Sequence, residues 1–437
     1  MSGTDMLADI RERLRRKSIY EVRPIARVVG VQCPTDGKKD RLIEDIIAIA
    51  SCKIAPAPRS ARGAPPKSTD FDEALVADIR ECIKFYSAKL SENGVAFNDT
   101  VVSDNSEERP CSGILEVGRF AVLRAKGFAA SDDDVFVADT IINRFGLKEG
   151  DRVDGICRRK TEREIAGLVA VTYINGFTPD SLRRGDFENL TPVYPDKRLR
   201  LGVRKEDILT RMADMFAPVG LGQRAVISVP ADLGRTTLLR QIAAAICGNE
   251  MLKPIFFLVS AAPEDFTCVK SFAEGAEVFF TPLSARPDEN VSASEFVIRR
   301  CKRLAESGAN VALIVDGASR LRNSAVPLIS SALNAAEGGS LTIIATVSAE
   351  GEYSSEFSPE LLSAANMRLI IRSAASDVPH IDVAKSFTLH RELLQSPREM
   401  AAADGLRARC ASAEGLKEVQ KLFKETENNE QIIGCDG

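Results

Sequence analysis

Residues 226–246 read VISVPADLGRTTLLRQIAAAI, and this stretch decides the fold of the larger part of the chain. An apolar run, with Ala225 ahead of it, has the make-up of a buried strand. A short loop ending in Gly234 follows, and then a helix that begins near Arg235. A strand that turns through a tight loop into a helix is the setting of a P-loop, where backbone N–H groups and the helix N-terminus cradle phosphate. Gly234 permits the close backbone approach, and the hydroxyl of Thr236 or Thr237 is placed to ligand Mg²⁺. Arg235 stands where such loops carry lysine, and its planar fork is longer than the compact ammonium that fits inside a phosphate loop. Asp232 adds a negative charge beside the expected phosphates. The loop speaks for nucleotide-fold ancestry more than for turnover.

Around this loop, AVISV (225–229), IFFLVS (255–260), EVFFTP (277–282), NVALIVD (310–316) and LTIIATV (341–347) are short apolar runs, several without polar alternation. Strands of that kind are covered on both faces, which predicts a parallel α/β sheet from residue 207 onward. NVALIVD ends on Asp316. Such an acid either holds Mg²⁺ through water or caps a strand end, and its position downstream of the phosphate loop favours the first reading.

Upstream the period changes. GILEV, RFAVLR, DVFVA, DRVDGICR and IAGLVAVTYI, between residues 111 and 174, are short runs separated by glycine and charged turns. They predict a small closed barrel of the OB-fold type over 111–178. SIYEVRPIARVVGV (18–31) puts Ile19, Val22, Ile25, Val28 and Val29 on one helical face, and KKDRLIEDIIAIA supplies a second amphipathic helix. Residues 1–54 are therefore expected to form a small helical domain. APAPRSARGAPPKSTD (55–70) reads as an extended linker, either a plain tether or a contact for phosphates. Residues 71–110 read as a further helix and an acidic loop, 179–206 as a connector, and 207–437 as the α/β domain with a helical tail.

Composition sets limits. The 58 basic and 62 acidic residues give a formal net charge of −4, so any nucleic-acid footprint must be local. The ten cysteines are scattered without a CxxC pair, as expected of free thiols in a reducing compartment. No apolar run has the length of a membrane span or the pattern of a signal peptide, so a cytoplasmic protein without a membrane partner is expected.

DFENLTPVYPDKRLRL (186–201), APVGLGQRAVISVP (217–230), EGGSLTIIATV (337–347) and PHIDVAKSFTLHRELL (379–394), in this order, resemble the bacterial transcription termination factor Rho family. The connector DFENLTPVYPDKRLRL is the most specific of them. The resemblance implies a small helical N-terminal domain, a cold-shock-type OB-fold barrel that takes single-stranded RNA, and RecA-like P-loop domains assembled as a hexamer, homo- or hetero-oligomeric, driven by ATP with Mg²⁺. In the barrel it assigns RNA contacts to Phe120 and Arg124, with Arg119 and Phe128 assisting, and finds Val122 where a second aromatic is usual. Phe120 as barrel core is the alternative.

In the motor the resemblance implies losses. Ala261 occupies the place of the glutamate that orients the attacking water, and Ala262 that of a neighbouring arginine. Glu264 matches a different position. Leu389 stands at the arginine finger, with Arg391 two residues on, and Val378 at the adenine-stacking aromatic. Together with Arg235 these leave no confident catalytic residue. Nucleotide binding would rest on Gly234, Arg235, Thr236, Thr237 and Asp316, and Mg²⁺ on Thr236 and Asp316, with ATP held weakly or lost. The segment between Leu321 and Glu337 is much shorter than in the family and lacks most of its RNA-gripping loop, and SAEGEYSSEF has no lysine for translocation. The expected function is a divergent, RNA-binding Rho paralogue that modulates termination with weak or no ATP hydrolysis, with RNA polymerase or an active Rho as partner. The alternatives are an active ATP-dependent RNA translocase and a scaffold without RNA binding.

Overall fold

The computed structural model describes residues 3–31, 34, 38–51, 72–92, 107–159, 165–230, 235–348, 359–372 and 380–435. The chain divides into two units, residues 1–106 and 107–437. In the first, helices α1 (Gly3–Arg16), α2 (Ile19–Val29), α3 (Lys39–Ala50) and α4 (Glu73–Glu92) share one core. The expected stripe on α2 is there: Val22, Ile25 and Val29 are buried, and α3 answers with Leu42, Ile43, Ile46 and Ile47. Helix α4 adds Leu75, Val76, Ile79 and Cys82 to the same cluster, and α1 adds Ile10 and Leu14. The helix expected in 71–110 as a separate piece is therefore part of this core. Two helices alone would leave the stripes on α2 and α3 half covered, at a cost of about 1.5–3 kcal/mol for each exposed Ile or Leu.

The second unit opens with β1 (Glu107–Val117), β2 (Ala121–Arg124), β3 (Val135–Phe136), helix α5 (Asp139–Phe145), β4 (Arg152–Arg159) and β5 (Ala166–Ile174). The strands close in the order β1–β2–β3–β5–β4, the barrel expected from the five runs. Its interior holds Leu115, Leu123, Val135, Val137, Val153 and Leu168.

A connector with β6 (Pro192–Val193) and β7 (Arg198–Leu199) leads through α6 (Ile208–Phe216) and β8 (Val219–Gly220) into the α/β part. There follow β9 (Arg224–Val229), α7 (Arg235–Cys247), β10 (Leu252–Ala261), α8 (Pro263–Phe272), β11 (Glu277–Pro282), α9 (Pro287–Glu306) and β12 (Asn310–Asp316). Next come a 3-10 turn (Ala318–Ser324), α10 (Ala325–Ser330), β13 (Leu333–Ala335), β14 (Ser340–Ser348), α11 (Pro359–Ala364), β15 (Met367–Arg372), β16 (His380–Ile381) and β17 (Phe387–Thr388). Helices α12 (Pro397–Arg409), α13 (Ala413–Glu425) and α14 (Asn429–Cys435) complete the chain.

The main sheet runs β11–β10–β12–β14–β9–β15–β16, parallel from β11 through β15. Its strands read as unbroken apolar runs because both faces are covered. On β12, Ala312 and Ile314 join one cluster with α6, α7, α12 and α13, while Val311, Leu313 and Val315 join another with α9 and α10. The barrel docks against this second layer. Arg300 of α9, 3% exposed, donates to both Glu277 oxygens at 3.0 and 2.7 Å and to Asn175 Oδ1 of the barrel at 2.6 Å. Gly150 faces Arg299 so closely that an added Cβ would lie 2.6 Å from its carbonyl carbon, and its φ of +90° suits glycine.

Candidate RNA face and nucleotide edge

Strand β2 alternates. Ala121 and Leu123 point into the barrel, and Phe120, Val122 and Arg124 point outward. Phe120 lies just before the strand and is 64% exposed, which places it on the surface and not in the barrel core. The Arg119 guanidinium sits 5.6 Å from its ring centroid. Val122 stands opposite Phe136 of β3, which is 40% exposed between the buried Val135 and Val137. Phe136 escaped the sequence reading, yet DVFVA carries the signal: an aromatic on the outward phase of an alternating run.

Arg124 ends the row and is held on two sides. It donates to Glu116 across the β1–β2 pair and to Asp134 at 2.6 Å. Asp134 also accepts from Ser131 N at 3.1 Å and Ala125 N at 3.2 Å. Burial pushes the Asp134 carboxyl up, but the bonds from Arg124, Ser131 and Ala125 outweigh it and hold the group below the usual carboxylate range. For the Arg124 guanidinium, burial works against the charge, and the bonds from Asp134 and Glu116 overcome it. Arg124 is thus a fixed member of the face. Phe128 lies elsewhere, packed against the sheet's second core cluster.

The second site is the edge where the parallel strands end. Residues 231–234, with Asp232 and Gly234, lie outside the described residues, as do Val378 and most of SAEGEYSSEF. Helix α7 starts at Arg235, with Thr236 half-buried and Thr237 exposed in its first turn. It is anchored by Leu238, Leu239, Ile242 and Ile246, which are buried against the sheet. Asp316 closes β12, where Gly317 turns the chain with φ of +78°. The Thr346 hydroxyl of β14, the strand between β12 and β9, donates to Asp316 Oδ1 at 2.6 Å. A carboxylate so fixed, one strand removed from β9, has the donor chemistry for a hydrated Mg²⁺.

The neighbouring strand, β10, ends on a methyl side chain. Ala261 is 5% exposed at the tip of β10, three residues beyond Leu258, the register partner of Asp316. Ser260 takes φ of +47°, and Arg320 donates to the Val259 and Ser260 carbonyls, each at 2.8 Å. Glu264 is exposed in the first turn of α8.

Leu389 stands at the far edge. Its strand β17 pairs Thr388 with Met367, and Met367 pairs with Ala225 at the start of β9. The length of β9 therefore separates it from the end of that strand at Val229, about 13 Å at 3.3 Å per residue. Leu389 is 52% exposed, and Arg391 is tied to Asp404 by bonds of 2.8 and 2.7 Å. The structure thus gathers Phe120, Arg119 and Arg124 on one face and Asp316 and α7 at one edge, and leaves Phe128 and Leu389 apart from both.

Among the described residues no helix is long and apolar enough to cross a membrane. The family model "Rho termination factor, RNA-binding domain" matches residues 111–180. The transcription termination factor Rho of Streptomyces coelicolor is 33% identical over 345 residues, covering 72% of this chain and 81% of that protein. That of Mycobacterium tuberculosis is 32% identical over 366 residues, covering 74% of this chain and 61% of that protein. That of Aquifex aeolicus is 26% identical over 464 residues, covering 97% of this chain and 94% of that protein.

Proposed function

The chain belongs to the transcription termination factor Rho family, and on that premise we propose that it is a ring-forming, single-stranded RNA-binding protein that modulates termination with weak or no ATP hydrolysis. Phe120 and Phe136 stack bases, each worth about 1–3 kcal/mol. Arg119 lies beside Phe120 to meet phosphate, and Arg124 with Asp134 sets the polar edge of the face. Thr236 and Asp316 are the residues that would hold Mg²⁺ with a bound ATP. Bound Mg²⁺–ATP would supply phosphoryl-group charge for a ring to respond to.

The observation that carries the reduced hydrolysis is Ala261, a buried methyl at the tip of β10 beside the Asp316 strand. A water-orienting group is required there, and a methyl neither accepts a proton nor aims a water. Leu389 compounds this, since a finger arginine contributes about 10³ to 10⁵ in rate. Such a chain regulates by occupying RNA or by co-assembling with an active Rho. Asp316 and its Thr346 partner favour the second reading, a working ATP-dependent translocase.

Filter binding of the full chain to poly-C at two salt concentrations tests the RNA part. Salt-sensitive binding that weakens in Phe120→Ala supports it, and no binding at either salt leaves the scaffold reading instead. ATP turnover compared with an Arg235→Lys variant tests the motor part.

A further inference from the structure

Where the barrel meets the edge strand β11 and helix α8, a cleft of 330 Å³ opens, lined by Arg124, Arg152, Phe266, Lys270, Glu277 and Phe279 among others. Its size is at the lower end of small-ligand pockets. Three features bear on what it takes.

The cleft continues the RNA face. Arg124 belongs to both, as the outward residue that ends the Phe120–Val122 row, and its register partner Ile114 is packed on the sheet's second core layer. Phe120, just before β2, and Arg124, at its end, are four residues apart, about 13 Å.

Both walls carry cations with little holding them, Arg152 on the barrel strand β4 and Lys270 on α8. Lys270 is exposed, and its ammonium lies 5.8 Å from the Phe266 ring centroid. Among the described residues no carboxylate pairs with it. Arg152 reaches Glu277 only at 3.8 Å and is 46% exposed, because Arg300 already holds that carboxylate at 3.0 and 2.7 Å. The same cleft presents an aromatic surface. Phe266 is half-buried and fixed by stacking on Phe280, with centroids 4.4 Å apart. A fixed ring sharing one cleft with two loosely committed cations suits one chemistry: an aromatic base joined to a phosphate.

We propose that this cleft takes the nucleotide that follows those stacked on the barrel face, its phosphate between Lys270 and Arg152 and its base on Phe266. The assignment rests on the barrel-face reading above and extends the RNA path from the barrel onto the α/β part.

The test uses the full chain, Lys270→Glu and Lys270→Ala variants, and two oligocytidylates, of about four and about ten nucleotides, spanning the range of OB-fold site sizes. Lys270 lies on the exposed side of α8, so both variants keep the wild-type melting temperature. Fluorescence anisotropy is expected to show that Lys270→Glu weakens the longer oligomer about tenfold and leaves the shorter one unchanged, with a salt slope lower by about 0.7 for one lost phosphate contact. Equal affinity of variant and wild type for both lengths would overturn the cleft assignment and leave the barrel reading in place. Failure of the wild type to bind either oligomer would overturn the barrel reading and the cleft with it. Binding of CMP alone that is lost in Lys270→Glu, with no effect of oligomer length, would assign the cleft to a free nucleotide and overturn its place on the RNA path.

Discussion

The Thr346 hydroxyl donates a 2.6 Å hydrogen bond to Asp316 Oδ1 and accepts one of 3.0 Å from the Gly317 N–H, so a residue on β14 sets the carboxylate at the tip of β12. Thr346→Val keeps the shape and removes the hydroxyl, leaving a buried N–H without this acceptor. The expected loss is about 1–3 kcal/mol in chemical denaturation. Thr346→Ser, which keeps the hydroxyl, retains most of it.

Phe120 and Phe136 share an outward face, and Phe128 does not. Each of Phe120→Ala and Phe136→Ala is expected to weaken poly-C binding by about 1–3 kcal/mol, with little change in melting temperature. Phe128→Ala should do the reverse, lowering stability through a lost packing contact and leaving RNA affinity near wild type. Titrations and melts on the three variants check this.

Asp134 carries a pH dependence. Burial raises its carboxyl, the bonds from Arg124, Ser131 and Ala125 lower it further, and the net shift is downward. A carboxyl held below its unfolded value stabilises the fold at pH above the ordinary carboxylate range, about 3.9. That contribution is lost as pH falls through this range toward the depressed folded value. Acid titration should show the wild type losing stability there more steeply than Asp134→Asn, which starts less stable at neutral pH.

Arg300 joins barrel and sheet through Glu277 and Asn175. Arg300→Ala removes one partner of a largely buried ion pair and leaves Glu277 with only the loose Arg152 contact. A loss of about 3 kcal/mol is expected, and calorimetry should show the barrel melting ahead of the α/β part. A single wild-type-like transition would contradict the role given to this residue.

Much of this was legible in the sequence because the strands are short and unmixed. AVISV, NVALIVD and LTIIATV announced a sheet covered on both faces. The spatial order of the strands was not legible, since β9 and β10 are consecutive in sequence but separated by β12 and β14 in the sheet. For the same reason Thr346 gave no sign of its role, lying thirty residues beyond its partner on a strand that only the fold brings alongside. The side of the barrel that docks was equally hidden. Phe128 reads as a surface aromatic until Ile114 and Phe128 are seen packed on the sheet. Helix α4 was visible as a helix, but its partners lie across residues 52–71, and local periodicity names no distant partner.

The central claim is an RNA-binding Rho-family chain with a motor that turns over weakly or not at all. Steady-state ATP hydrolysis by the full chain, measured with and without saturating poly-C, tests it most directly. Bound RNA is expected to leave turnover at its RNA-free background. Robust RNA-stimulated hydrolysis, abolished by Asp316→Asn, would contradict it.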